Sequence, residues 1–517
     1  MKLVLVLKTA RCAVIMAEDG AIFEADTPYQ VYLNGTQVLE SSRTVLSLYG
    51  LEPDTDYEVQ VRRNGQTEQI QFRTDREFVT LNVRDFGAKG DGIQDDTTFL
   101  QAAIMACPGD SRVLIPKGIY RITSLFLKSH IRIELEEGTV LSAFTDRTKF
   151  PVLPGMIESW DEEGEYNLGT WEGNPLPMFS GIITGVEVED VVIYGPGRID
   201  GNASADPDNW WHDPKTMRTA FRPRMIYLNH CRDISIQGIT VQNSPSWNIH
   251  PYFSEDLQFA DLRILNPKDS PNTDGLDPES CKNVEILGVY FSLGDDCVAV
   301  KSGKIYMGSK YHTPSENITI AQCCMRDGHG SITIGSEMAG GVKNLTVRDC
   351  RFFHTDRGLR IKTRRGRGKD AVIDQVKFER ICMDQVKTPF VVNCFYFCDP
   401  DGHTEYVRTK DKLPVDDRTP QIKSLIFKDI KAENCHVAAA YFYGLPEQKI
   451  EKIVMENIHI TYAENPQKDV PAMLEGIQPM AGRGIIAKNI EELAVHNIQI
   501  ENPEGPSVEL EGVDRTV

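Results

Sequence analysis

No stretch of the 517 residues approaches the roughly 20 consecutive apolar positions that cross a bilayer, so a membrane-spanning helix is excluded. The apolar run at residues 3–7 is interrupted by Lys8 and Arg11, and no small-residue cleavage site follows. It reads as a first β-strand rather than a secretory leader. Positive charge is in short supply: 56 Lys and Arg face 75 Asp and Glu, a formal net charge of −19. That balance argues against a general nucleic-acid or anionic-membrane binder. The 12 cysteines lack close pairs with zinc-ligand spacing, and Cys323 and Cys324 are adjacent, which suits buried free thiols better than a disulfide framework. A reducing, cytoplasmic location is expected. Helical periodicity is scarce as well, whereas 40 Gly, 28 Pro and many short β-branched runs indicate a β-rich chain with frequent turns.

Two regimes divide the chain, and the boundary is placed between residues 1–76 and 77–517. In the first, "GLEPDTDYEVQV" sets a Leu-x-Pro turn before Tyr57 and an alternating strand, Tyr57, Val59, Val61. This resembles a fibronectin type III module, a small β-sandwich in which Tyr57 would form the tyrosine corner. The second regime opens with one amphipathic helix, expected over 96–106 with Leu100, Ala103 and Ile104 on its buried face. A lone helix beside a long β region can cap the open end of a solenoid.

After the helix the strands repeat. Units begin at Asp233, Asp256, Asn283, Asn317 and Asn344, with offsets of 23, 27, 34 and 27, and later copies lie in "IKSLIFKDIKAEN", "KIVMENIHI" and "LAVHNIQIEN". Each unit is an Asn or Asp, alternating aliphatics, a polar bend and a second apolar pair. Units that cannot bury their own apolar face must stack, and irregular offsets place insertions in the loops. An all-β, right-handed parallel β-helix is therefore expected.

Within this register Asp295 and His329 each stand 12 residues into their units, and Asp274, Asp296, Arg360 and Lys362 fall in comparable phases. Coils of a parallel sheet lie about 4.8 Å apart, so these residues should gather on one face. Three crowded carboxylates have their pKa values pushed apart, so that one keeps its proton while another stays ionised. That division suits inverting glycoside hydrolysis, in which one acid protonates the leaving oxygen and a carboxylate activates water on the opposite face. Adjacent strand residues point to opposite faces. Gly294 is expected to supply the kink that lets both Asp295 and Asp296 reach the cleft.

"NTDG" at 272–275, "GDD" at 294–296, "GHG" at 328–330 and "RIK" at 360–362 together resemble the polygalacturonase family of glycoside hydrolases, of the family 28 type. The likeness runs from about residue 78 to near the C-terminus. It implies that Asp295 is the general acid, that Asp274 and Asp296 hold and deprotonate the water, and that His329 sustains the acid's protonation. It also implies that Arg360 and Lys362 bind a sugar carboxylate, that Asn272 orients the site, and that galacturonic acid oligosaccharides are the substrate. Hydrolysis of this kind needs no metal, and no cofactor is expected.

Positions 357–369, "RGLRIKTRRGRGK", reverse the local sign of charge as a polyanionic substrate requires, since Arg engages a carboxylate bidentately. Glu337 and Tyr441 are further candidate substrate contacts, and Trp247 and His250 read as packing residues. Long inserts at 145–176 and 200–224 break the coil rhythm, and loops this long are often functional. In the family, such loops wall off one end of the cleft and turn endo cleavage into exo cleavage from the non-reducing end. Trp210, Trp211, Arg222 and Arg224 are expected on that wall. The alternatives are an endo-polygalacturonase, a rhamnogalacturonan or xylogalacturonan hydrolase, a calcium-dependent lyase on the same fold, and a binding solenoid without catalysis. Oligomeric state is open.

Overall fold

The structure is a computed structural model that describes residues 1–158, 165–212 and 221–517. The N-terminal segment forms two antiparallel sheets. One has three strands, Lys2–Lys8, Cys12–Glu18 and Val45–Tyr49, and the other has four, Glu24–Leu33, Thr36–Arg43, Asp56–Arg63 and Gln66–Arg73. Between them lie Ile15, Tyr29, Val31, Leu46, Val59 and Val61, the inward set of the alternating strands. The Tyr57 hydroxyl accepts the Glu52 N–H at 2.9 Å, which is the corner contact that the fibronectin-like pattern implied.

From Thr80 onward the chain winds as a parallel β-helix. Its one helix near the entry, Thr97–Ala106, buries Leu100, Ala103 and Ile104 as expected. Coil stacks on coil in strict register, so one inward column reads Ile236, Phe259, Ile286, Ile320, Val347 and Phe378. Each fully buried side chain of this size contributes about 1.5–3 kcal/mol of transfer free energy, and none of it is available to a single coil.

The repeated Asn or Asp at the start of each unit has a backbone cause. Asp256, Asn283, Asn317 and Asn344 all adopt left-handed φ, between 53° and 57°, a region that Asn and Asp tolerate better than other side chains. Their side chains form a ladder from coil to coil. Asn283 donates to Asp256 at 2.8 Å, Asn317 to Asn283 at 3.1 Å and Asn344 to Asn317 at 2.8 Å.

The first insert folds into short hairpins, among them Met156–Glu158 with Glu165–Asn167 and Thr170–Trp171 with Asn174–Pro175. Residues 159–164 and 213–220, parts of the two inserts, lie outside the described residues.

The sandwich docks along the helix rather than standing apart from it. Tyr49 packs with Val192 and Tyr194, and Gln237 donates to Ser47 and Tyr49 at 2.7 and 3.0 Å. Ser47 donates to Asp261 at 2.5 Å, and the Gln322 side-chain oxygen accepts from Phe23 N and Thr44 Oγ1 at 2.5 and 2.9 Å. Arg351 donates to Glu24 O at 3.3 Å.

Candidate active site

One sheet of the helix carries the strands Ile249–Tyr252, Asp296–Val300, Gly330–Gly335, Arg357–Lys362 and Thr388–Asn393, with Leu276 bridging Ile249 and Val298. Leu276, Val298, Ile332, Leu359 and Phe390 point inward and are fully buried, so the alternate positions face outward. Register sets Thr333 beside Arg360 and Gly335 beside Lys362, and Asp296 beside Gly330 of the next coil. Asp274 sits one coil before Asp296, where the Gly275 N–H reaches the Asp296 carbonyl at 3.0 Å. Asp295 occupies the bend that precedes its strand, and this is why two adjacent aspartates share the cleft. The expected role of Gly294 is refined. Its backbone angle is unexceptional, and glycine is required because a Cβ there would lie 2.3 Å from the Ser270 carbonyl oxygen.

Asp274, Asp295 and Asp296 each present an oxygen within 4.8 Å of the others. Arg360 Nη1 donates to Asp296 Oδ1 at 3.0 Å and Lys362 Nζ to Oδ2 at 2.9 Å. Burial alone would raise the Asp296 pKa, but Lys362 and Arg360 outweigh it and hold this carboxyl well below the usual carboxylate range. Asp274 moves the other way, pushed up by burial and then by the charge of Asp295. His329 Nδ1 lies 3.4 Å from Asp295 Oδ1, and this contact raises the imidazole pKa against the opposing effect of burial. Asp295 is the most accessible carboxylate of the three, its side chain 19% exposed against 1% for Asp296. The trio therefore offers one firmly ionised carboxylate on the floor and one carboxyl at the rim beside a protonatable histidine. The oxygens stand closer than the roughly 6.5–9.5 Å typical of inverting pairs. A water shared by these carboxylates would sit against the cluster rather than in a wide gap. The same oxygens are near enough to ligate a cation, although Arg360 and Lys362 already neutralise Asp296.

A cavity of about 230 Å³ opens over these residues. Asn272 and Glu337 line it as expected, together with Trp247. Asn272 Oδ1 accepts from Arg222 Nη2 at 2.6 Å. Other lining residues escaped the sequence reading: Glu172, Lys301, Tyr396, Cys398, Asp399 and Met473. Lys301 is buried and donates to Glu337 at 3.2 Å. Burial works against its charge, but Glu337 and Asp277 raise its pKa well above the ordinary lysine value. Lys301 was legible in principle, since it falls at the outward period-two position that follows "GDD". Tyr396, Cys398, Asp399 and Met473 arrive on distant loops with no local signal. On the far side of His329 the surface continues into a groove of about 470 Å³ lined by Lys268, Lys387, His354 and His436 together with Asp327 and Asp356.

Several expected contacts lie elsewhere. Trp210 is fully buried among Phe150 and Phe179, with Arg147 over its ring, because the insert folds its large aromatics inward. Trp211 is buried too, its Nε1 donating to Ser244 O at 3.2 Å. Arg224 is fully buried, donating to Thr170 O at 2.6 Å, and Arg222 is held by the carbonyls of Pro245 and Pro271. Tyr441 stands in the same column as Arg360, two coils beyond it, packed edge-on to Tyr443. Trp210, Arg224 and Tyr441 do not border the cavity. His250 is buried against Glu279 at 2.9 Å, whose own pKa burial raises to about 7. The basic run after Lys362 also turns away from the cleft. Arg364 pairs with Asp399 and Asp401, Arg365 with Glu447, and Arg367 with Asp399, each arginine buried, while Lys369 meets Asp417 at the surface.

A family model described as "Glycosyl hydrolases family 28" matches residues 115–474. A probable polygalacturonase of Vitis vinifera is 30% identical over 448 residues, covering 84% of this chain and 86% of that one. An endo-polygalacturonase of Pectobacterium parmentieri is 28% identical over 378 residues, covering 71% of this chain and 84% of its own. Among solved structures, a family 28 exopolygalacturonase of Yersinia enterocolitica aligns over 99% of this chain and 98% of that one, with a TM-score of 0.72 at 17% identity. That last likeness is one of fold, and it includes the N-terminal sandwich.

Proposed function

The chain belongs to family 28 of the glycosyl hydrolases, and from that premise we propose that it releases single galacturonic acid residues from the non-reducing end of α-1,4-linked galacturonate oligomers. The observation that carries the exo reading is the shape of the site. The cavity is small, and the first insert reaches its far side through Glu172, while the open groove lies beyond His329. The acid must stand next to the leaving oxygen, so the departing chain belongs on the Asp295 and His329 side. There Lys268 suits its carboxylates, whereas Lys387 is already paired with Asp356 and Asp469.

Asp295 donates its proton to the glycosidic oxygen as the bond from C1 breaks. Asp296, kept ionised by Arg360 and Lys362, takes a proton from the water held against it and Asp274, and the water oxygen bonds to C1 from the opposite face. The anomeric centre inverts. The cytoplasm is the proposed compartment, supported by twelve unpaired cysteines, and recovery of the enzyme from culture fluid would overturn that placement.

A timed digest of hexagalacturonate tests the reading, since the earliest products should be monomer and pentamer, with the β-anomer first by proton NMR. A spread of mid-sized fragments at the earliest times would overturn exo cleavage.

A further inference from the structure

An enzyme that enters a chain only by its end must sense what marks that end. In a 1,4-linked galacturonan an internal residue carries a glycosidic bond at O4, and the terminal residue carries a hydroxyl there. The sensor should be a hydrogen-bond acceptor, rigidly held, at the closed end of the cavity.

Residues 170–175 supply one. Trp171 pairs with Asn174 across a two-residue turn in which Glu172 and Gly173 both have positive φ, 47° and 72°. Gly173 is needed for fit, since a Cβ there would lie 2.6 Å from Lys304 N and 2.9 Å from Glu337 Cγ. Its carbonyl accepts the Lys304 N–H at 3.1 Å. The root of the hairpin is fastened as firmly. Arg224 donates to Thr170 O at 2.6 Å and lies over the rings of Trp171 and Trp247 at 4.8 and 5.2 Å. Those two rings stack at 4.7 Å. Arg224 thus contributes to the wall from behind, as the anchor of the hairpin.

Glu172 is carried on this tip into the cavity, and among the described residues no hydrogen bond or ion pair engages its carboxylate. Glu337 lies beside it, and burial followed by that neighbour raises the Glu172 pKa. We propose that Glu172, backed by Glu337, accepts a hydrogen bond from the free C4 hydroxyl of the terminal galacturonate, and that the Glu172–Gly173 turn blocks any residue beyond it. A further galacturonate would bring its carboxylate against Glu172 and is repelled. The proposal rests on the exo reading above.

The test compares hexagalacturonate with a hexamer whose non-reducing residue is 4,5-unsaturated and so lacks that hydroxyl, in wild type, Glu172→Gln and Glu172→Ala. Wild type should prefer the saturated hexamer in kcat/KM by about tenfold or more, the range of one charge-assisted hydrogen bond. Glu172→Ala should erase the preference, and Glu172→Gln, which keeps an acceptor oxygen, should retain part of it. A general structural defect would slow both substrates alike and leave the ratio standing. A ratio unchanged in Glu172→Ala, or no preference in wild type, overturns the assignment. Mid-sized fragments from wild type would instead defeat the exo reading, and that is seen before any variant is made.

Discussion

Replacing Lys362 with methionine keeps most of the side-chain length and deletes the charge that sits 2.9 Å from Asp296 Oδ2. At that distance, with an effective dielectric near 20, the attraction is about 6 kcal/mol. Arg360 stays in place at 3.0 Å, and water can enter beside methionine, so a net loss of about 2–3 kcal/mol is the reasonable share. At 1.36 kcal/mol per pKa unit this raises the Asp296 pKa by about 1.5–2 units. The sign follows from linkage. A carboxyl held below its unfolded value of 3.8 supplies base and stability above that value, and loses both as pH falls through its folded pKa. The acid limb of kcat/KM should therefore move to higher pH in Lys362→Met, measured on trigalacturonate with initial rates carried down to the lowest pH at which both proteins stay folded. Titration of the substrate is the same in both enzymes and cancels. A KM raised equally at every pH, with the acid limb unmoved, would show that Lys362 touches only substrate and leaves Asp296 untuned.

Asp295→Asn should lower turnover by about 10²–10⁴-fold with thermal unfolding unchanged, and near-normal turnover in the folded variant would remove Asp295 from the acid role. His329 is raised by its contact with Asp295, so its charged form and the stability it adds are present below 6.5 and are lost as pH rises through the higher folded value. His329→Gln should accordingly draw the basic limb of kcat/KM to lower pH, and an unmoved limb would count against the pair. Arg365→Met should cost about 3–5 kcal/mol in denaturant unfolding, because it strands the buried Glu447 carboxylate, whereas Lys369→Met in the same basic run should leave the midpoint where it was.

The β-helix and its cluster of three aspartates were legible because one coil is written many times over. An offset counted along the chain becomes a position across the sheet, and Asp295 and His329, each 12 residues into their units, could be aligned by counting alone. The repeated Asn was visible too, though its left-handed backbone and side-chain ladder were not. The walls of the cavity follow no such rule. Glu172, Tyr396, Asp399 and Met473 come from segments whose path depends on how each insert packs, and their spacing to the motifs carries no information. Composition misled in one instructive place. Arg360 and Lys362 alternate outward on a strand, but the chain leaves the sheet after Lys362, and Arg364, Arg365 and Arg367 turn inward onto Asp399, Asp401 and Glu447. A run of like charge thus serves two structural ends.

The sandwich that lies along the helix changes how the whole array can fail. A bare solenoid is held by nearest-neighbour contacts and can peel from an end or open between any two coils. Here one rigid body touches a run of successive coils, from the one with Tyr194 through Gln237, Asp261 and Gln322 to Arg351. It acts as a splint. Shear or fraying within that span must break several of its fastenings at once, so the splinted coils respond as a single block. Asp274, Asp295, Asp296 and His329 all belong to that block, so the sandwich braces the coils that carry the carboxylates without itself lining the cavity.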